Sequence, residues 1–388
     1  MITHSDVEQR IERWLEATAP IGSADRVLAE TFDRTRPMAR RSGTARRCLS
    51  IRPRPIAFAV VAAVILAAVT LGIRRTDLAQ AARLGSIEGQ TWVDSLEVAV
   101  TIQRDPSDDR DFYWRAVAFD QIDRIGISIG HPITTARPPA TSLLAGMADD
   151  VDQAGQDRFT FTVHPVSLTS PLVLSPATPI LVDRDVRLTT VGQDGYFAMV
   201  ELDNIDTYTV TALVPSGGTA TGSSDASALR AAGTAYPLEV VALYTAEQAG
   251  VVGPNLRALK DEVVRTAASS APIDLVERLL QVLGAPPYTY DVNLGSIDCG
   301  SMSVAECFAT SKHGFCVQFA TTMAVVLRDM GVPARVVEGF LPGMRKAGSA
   351  VEVIHNANAH AWVEVYFPGH GWVAFDPTSR ILPTILPR

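Results

Sequence analysis

The stretch "HGFCVQFATTMAVVLRDMG", residues 313–331, decides how this chain is read. Phe319, Met323, Val326, Leu327 and Met330 recur at spacings of three and four, so they form one stripe of a helix. Gly331 closes it. Cys316 stands at the start of that helix, in a chain of 388 residues with only four cysteines. It is a candidate nucleophile, metal ligand, disulfide half or buried filler. A helix N-terminus carries partial positive charge and free N–H groups. Both favour a thiolate there, and the N–H groups can also receive a developing oxyanion.

A thiol nucleophile wants an imidazole beside it, and the imidazole wants a third group to orient it. Downstream, "HAWVEVYF-PGH-GWVAFD", residues 360–376, reads as a hairpin with a Pro-Gly turn. Side chains on one strand face repeat every two residues. If the loop is Pro368, Gly369 and His370, Phe367 pairs with Gly371 and Asp376 falls opposite Trp362. Asp376 is then one diagonal step from His360 on the same face. A regular four-residue loop separates the two unless a bulge intervenes. Glu364 shares the His360 face and is expected to pair with Arg335. Trp362 is placed to shield the His–Asp pair from water.

The surrounding segments give residues 255–380 an α+β character. "NLRALKDEVVRTA" and "APIDLVERLLQVLG" are helical, "PPYTYDV" is extended, and "ARVVEGF" is a buried strand. Cys299 and Cys307 close a short loop and can bridge, which leaves Cys316 free; other pairings stay open. Zinc is the chemical rival, since His313 and Cys316 have H-x-x-C spacing and Cys299, Cys307, His355, His360 and His370 are at hand. Structural zinc shows paired short spacings, and here there is one tight pair. His313, His355 and His370 are therefore read as surface loop residues. No metal or organic cofactor is demanded.

Residues 85–245 read as β-rich. "RFTFTVHPV" and "TYTVTALVP" alternate with period two, and "DFYWRAVAF" is a third strand. The breaker-rich stretches 131–157 and 215–226 read as loops, which suggests a sandwich-like or partly open sheet. Further upstream, "IAFAVVAAVILAAVTLGI", residues 56–73, is 18 residues without a charge, near the short limit for a membrane-spanning helix. Residues 1–55 hold eleven Lys/Arg and seven Asp/Glu, a net of +4. The arginines place the N-terminus in the cytoplasm and the rest outside, as a single-pass cell-membrane protein. The whole chain is −8, so residues beyond 55 carry −12. That is a poor footprint for nucleic acid. The basic run suits anionic lipid heads. Short helices are expected within the cytoplasmic tail, at 5–33, where "VEQRIERWLE" has an apolar face.

Taken in order, "GFCVQFATTMAVVLRDMGVPARVVEGFLPG" and "NAHAWVEVYFPGHGWVAFDPT" resemble the transglutaminase-like superfamily of papain-type thiol enzymes, and its bacterial membrane-anchored group most. The Cys-led helix, the Gly-Val-Pro-Ala-Arg strand start, the His-Ala-Trp strand and the Asp-Pro-Thr end carry the likeness, over 255–378. Weaker likeness in "YWRAVAFD", "YPLEV" and "YTYDV" reaches into the β-rich part. The resemblance implies a papain-like core, with the Cys-bearing helix packed on an antiparallel sheet. Before it come a β-rich domain and one transmembrane helix. It implies that Cys316 attacks a carboxamide or peptide carbonyl to give a thioester, that His360 moves the proton, and that Asp376 holds the imidazole. The substrate is then a peptide or protein, cell-wall peptides among them, and the thioester goes to an amine or to water. A peptidase or amidase on the same residues is one alternative, and a non-catalytic binding module of the same fold is another. Two departures stand out. No Trp lies just before Cys316, where animal members use one for the oxyanion, and the β-rich part lacks a second Trp that relatives show.

Overall fold

The helix that begins at Cys316 is the centre of the structure, a computed structural model. The described residues are 97–378, apart from 131, 145–155, 169–170, 193–195, 216–225, 246–249, 293 and 295–296. The expected membrane span at 56–73 and the helices at 5–33 lie outside them. Among the described residues no helix is long and apolar enough to cross a membrane.

The first ten strands are β1 (Val98–Gln103), β2 (Trp114–Phe119), β3 (Gln121–Asp123), β4 (Gly126–Ser128), β5 (Ile133–Arg137), β6 (Gln156–Pro165), β7 (Thr178–Val182), β8 (Val186–Val191), β9 (Tyr196–Leu202) and β10 (Tyr208–Pro215). Helices α1 (Ala226–Ala231), α2 (Leu238–Tyr244), α3 (Pro254–Thr266) and α4 (Pro272–Leu283) follow. Then come β11 (Thr289–Tyr290), α5 (Val304–Ser311), β12 (His313–Gly314) and α6 (Cys316–Asp329). The chain continues through β13 (Ala334–Phe340), β14 (Met344–Arg345), β15 (Val351–His355), β16 (Ala359–Phe367) and β17 (Gly371–Phe375).

Two large sheets carry the fold. One has the order β14-β15-β1-β6-β10-β7, the other β17-β16-β13-β2-β9-β8-β5. In chain order the β-rich region precedes the helices, but in space both sheets draw on both regions. β1 pairs with β15, and β2 pairs with β13. An apolar core that includes Ile102, Trp114, Phe161, Leu188, Val210 and Phe340 fills the space between the sheets. A second core joins α3, α4, α5 and α6 to Val336, Ala361, Val363 and Val365 of β13 and β16.

Three expectations need adjusting. The stretch 131–157 is not all loop, because β5 pairs with β8 along Ile133–Arg137. Its residues are mostly exposed, so no apolar period marks it. The end of the β-rich region holds the short helices α1 and α2. And α6 is buried beyond one stripe: Ala320, Thr321, Thr322, Ala324 and Val325 are buried along with Phe319, Met323, Val326 and Leu327. A helix covered on every side is what a central core helix requires.

Both ends of α6 are fixed. Gln318 accepts a hydrogen bond from the Phe315 amide at 3.1 Å, satisfying a free N–H of the first turn. Arg328 Nε donates to the Ala334 carbonyl at 2.6 Å and ties the far end to β13. The Cys299–Cys307 disulfide anchors the loop after β11 to α5. Glu306 of α5 accepts from the Asn255 and Leu256 amides, at 2.8 and 3.0 Å, and so caps α3.

β13 and β2 pass close together at Gly339, beside a bulge. A Cβ there would fall 2.0 Å from the Trp114 carbonyl oxygen. That atom is backbone, so the strands must part to admit a methyl group. Gly339→Ala should cost about 1–3 kcal/mol, the usual range for overpacking. Urea unfolding reads the effect, and an unchanged midpoint would contradict the close approach.

Candidate active site

His360 sits in β16 and pairs across β13 with Gly339. β17 returns with Phe367 opposite Gly371 and Val363 opposite Phe375, the register of a three-residue loop. Asp376 therefore emerges next to His360, whose Nε2 lies 3.0 Å from Asp376 Oδ2. Each side chain is 1% exposed. A His–Asp bond this dry is not weakened by competing water.

Four hydrogen bonds converge on the Asp376 carboxylate. Oδ2 accepts from His360 and from the Tyr113 hydroxyl at 2.9 Å. Oδ1 accepts from the Thr378 amide at 2.8 Å and the Thr378 hydroxyl at 2.7 Å. Burial alone would raise the Asp376 pKa. The His360 charge and these bonds outweigh it and hold the carboxyl below its usual range. Burial also pushes the Tyr113 phenol up, and the neighbouring carboxylate adds to this, so Tyr113 stays a donor.

Cys316 is the free thiol and is buried. It lies close enough to the His360 ring to favour the imidazolium. With Nε2 turned to Asp376, Nδ1 is the nitrogen left to face the sulfur. Burial by itself would lower the imidazole pKa, but Asp376 and then Cys316 favour the proton, and His360 is raised from 6.5 to about 10. The structure thus brings Cys316, His360 and Asp376 together at the N-terminus of α6.

The other residues singled out fall elsewhere. Glu364 lies between two arginines, with Arg335 Nε at 2.8 Å and Arg115 Nη1 at 3.3 Å, and it is structural. Trp362 is buried and meets the Tyr113 ring edge-on at 5.2 Å, beside the His–Asp pair. His313 is about half exposed and stands 3.7 Å from Asp291. Cys299 and Cys307 are spent on each other. Among the described residues, no group of three or more His, Cys, Asp or Glu could hold a metal.

Sequence reasoning missed Tyr113, Thr378 and Tyr290. Thr378 had a local signal, because an Asp side chain commonly accepts from the amide two residues on. Tyr113 had none, since only the β2–β13 pairing carries it to the site. Tyr290 lies in β11, which runs parallel to β12 with Tyr290 opposite Gly314. Burial, and then Cys316, push its phenol pKa upward.

The His360 proton is a measurable property. Its folded-state pKa lies above the ordinary value, so folding takes up a proton between 6.5 and about 10. The stability this provides is whole below pH 6.5 and is lost as pH rises toward 10. An NMR titration of the full chain should show the ring of His360 losing its proton near pH 10. In Asp376→Asn the midpoint should fall, because burial then acts with less opposition. An ordinary midpoint in the parent protein, or no change in the variant, would contradict the pairing.

Part of the chain is similar to known proteins. Residues 257–377 match the family model for the transglutaminase-like superfamily. The chain is 37% identical over 130 residues to a protein-glutamine gamma-glutamyltransferase of Pseudomonas aeruginosa, a match covering 34% of this chain and 19% of that protein. It is 40% identical over 112 residues to the uncharacterized protein YebA of Bacillus subtilis, covering 27% of this chain and 15% of that one. The chain thus spans less than a fifth of either relative's length. Among solved structures, the periplasmic domain of TgpA from Pseudomonas aeruginosa aligns with a TM-score of 0.49 at 24% identity, covering 75% of this chain and 91% of that one. Residues 257–377, which carry Cys316, His360 and Asp376, belong to a domain of the transglutaminase-like superfamily.

Proposed function

We propose that this chain is a membrane-anchored thiol acyltransferase facing outward, acting on peptide or protein carboxamides through Cys316, His360 and Asp376. The observation that carries the reading is Cys316 at the N-terminus of α6, beside an imidazole that a four-bonded carboxylate fixes.

The chemistry is a two-step exchange. In the resting pair the proton is already on His360, whose ring the site holds protonated, and the sulfur attacks the carboxamide carbon as the thiolate. The C–N bond breaks as the imidazolium returns the proton to the leaving amine, which is ammonia for a glutamine side chain. The acyl group is then a thioester on Cys316. An incoming amine gives up a proton to His360, attacks the thioester and forms a new amide, and the thiol is regenerated. Water in place of the amine yields the acid. Asp376 keeps its charge throughout and holds the ring, as an orienting carboxylate does in other triads. A relative named as a glutamyltransferase supports the carboxamide as donor. The uncharged run at 56–73, with arginines on both sides, supports the anchor and the outward orientation. Peptides and proteins outside the membrane, those of the cell wall included, are the substrates such a site can reach.

The test uses full-length protein in detergent, a glutamine-containing peptide and a primary amine. The expected products are ammonia and an amine-linked peptide. Cys316→Ala should abolish both, and His360→Ala should lower the rate roughly a thousandfold or more. Free acid as the sole product, with amine present, would make the enzyme a hydrolase. Turnover that persists in Cys316→Ala would rule out the thiol mechanism.

A further inference from the structure

β13 is buried along most of its length, and Glu338 and Gly339 are its two half-exposed residues. The register sets this opening against the strand that bears His360. Gly339 pairs with His360, and Glu338 pairs with Ala361. On its other side Glu338 pairs with Val117 of β2. Opposed residues of an antiparallel pair have Cα atoms about 5 Å apart, so the Glu338 Cα stands within roughly 10 Å of that of His360. Side chains alternate along a strand, which sets Glu338 on the face of Val336, two residues back. Val336, Ala361 and Cys316 belong to one apolar core, the one into which α6 packs. A carboxyl group therefore stands where β13 opens to solvent, on the face that α6 covers.

No cation of the fold neutralises this group. Its cross-strand neighbours, Ala361 and Val117, offer it no side-chain donor. The arginines of the same strands, Arg335 in β13 and Arg115 in β2, are engaged by Glu364. Among the described residues nothing offsets the lost hydration, and burial pushes the Glu338 pKa from 4.5 to about 7. An apolar side chain would sit here at less cost to folding. An uncompensated acid in an opening beside reacting groups marks a binding position, and a cation is what it lacks.

Acyl transfer brings a cation to this place. A primary amine has a pKa near that of a lysine side chain, so it arrives at neutral pH as an ammonium. The end that attacks the thioester must shed its proton. A second ammonium on the same molecule keeps its own and needs a partner once water is excluded.

We infer that Glu338 is a specificity-determining residue of the acceptor side, whose carboxylate holds a second ammonium of the incoming amine while the first attacks the thioester on Cys316. This deepens the acyl transfer proposed above and rests on it. Glu338 forms no covalent bond and takes no proton from the attacking amine, so the bonds made and broken are those of the transfer itself. The short separation from His360 favours acceptors whose two amino groups lie a few carbon atoms apart. The bound ammonium in turn keeps the carboxylate ionised.

The test uses full-length protein in detergent, a glutamine-containing peptide as donor, and three acceptors of one length: 1,4-diaminobutane, 4-aminobutan-1-ol and 4-aminobutanoate. They share the attacking amine and differ in the charge of the far end. Parent protein and Glu338→Gln are compared by kcat/KM for amide formation. The ratio between acceptors is read, so a general loss of activity in the variant cancels. The parent should prefer the diamine to the amino alcohol by roughly 10–100-fold, the range of a hydrogen bond to a charged group, with 4-aminobutanoate slowest. In Glu338→Gln that preference should vanish. The parent's own order needs no variant, so it decides the matter even if Glu338→Gln fails to fold. Equal rates for the three acceptors in the parent, or a preference that survives in Glu338→Gln, would overturn the inference and leave the thiol mechanism standing. Free acid as the sole product of an active Cys316 would do the same. Ammonia release that is absent from the parent, or unchanged in Cys316→Ala, would sink the acyl transfer itself, and this inference with it.

Discussion

The Asp376 carboxylate holds the site together. Its two oxygens accept from His360, Tyr113 and Thr378, residues from three separate parts of the chain. A buried carboxylate with a missing partner is costly, so each donor must be in place for the charge to be tolerated. This makes the His360 ring orientation a consequence of folding. Tyr113 arrives only when β2 pairs with β13, and His360 only when β17 pairs with β16, whereas Thr378 bonds the carboxylate locally from two residues on. Once the carboxylate is satisfied, it keeps the imidazole protonated against the desolvation that would otherwise strip it.

The same arrangement explains why the β-rich region and the helical region share their sheets. A site assembled from two independent units would depend on how they docked. Here β2 lies between β13 and β9, and β1 lies between β15 and β6. The strand that Tyr113 leads into is thus fixed by main-chain bonds to a neighbour of the strand bearing His360. On the other side, α6 is tethered at its C-terminal end by Arg328 to Ala334, where β13 begins. The distance from Cys316 to the sheet is therefore set by a packed helix of fixed length. The arginine pair around Glu364 secures the far end of the same strands, with Arg335 also 4.1 Å from the Trp372 ring centroid.

Much of the site was legible because local rules determine it. The α6 stripe marks where a helix starts, so Cys316 could be placed at its N-terminus. Counting through the hairpin put His360 and Asp376 on one face, provided the loop had three residues, and Phe367 does pair with Gly371. Arg335 and Glu364 are directly opposite in the observed register. The long-range pairings were not legible. Nothing in the alternation of β1 or β2 says which strand lies beside it, so the two regions read as consecutive units. Tyr113 and Tyr290 were hidden for that reason: each looks like an ordinary strand residue until its neighbour is known. Short exposed elements escaped differently. β5 buries too little to show a period, and α5 is only eight residues long, too short for periodicity to stand out.

The central claim is that Cys316 carries the acyl group. The most direct test quenches the full chain during turnover of a glutamine-containing peptide and maps the adduct by mass spectrometry. A nucleophilic Cys316 predicts the peptide acyl group on the fragment containing that residue, accumulating when amine is withheld and discharged when it is added. An adduct on another residue, or product formed at the normal rate with Cys316 never acylated, would contradict it.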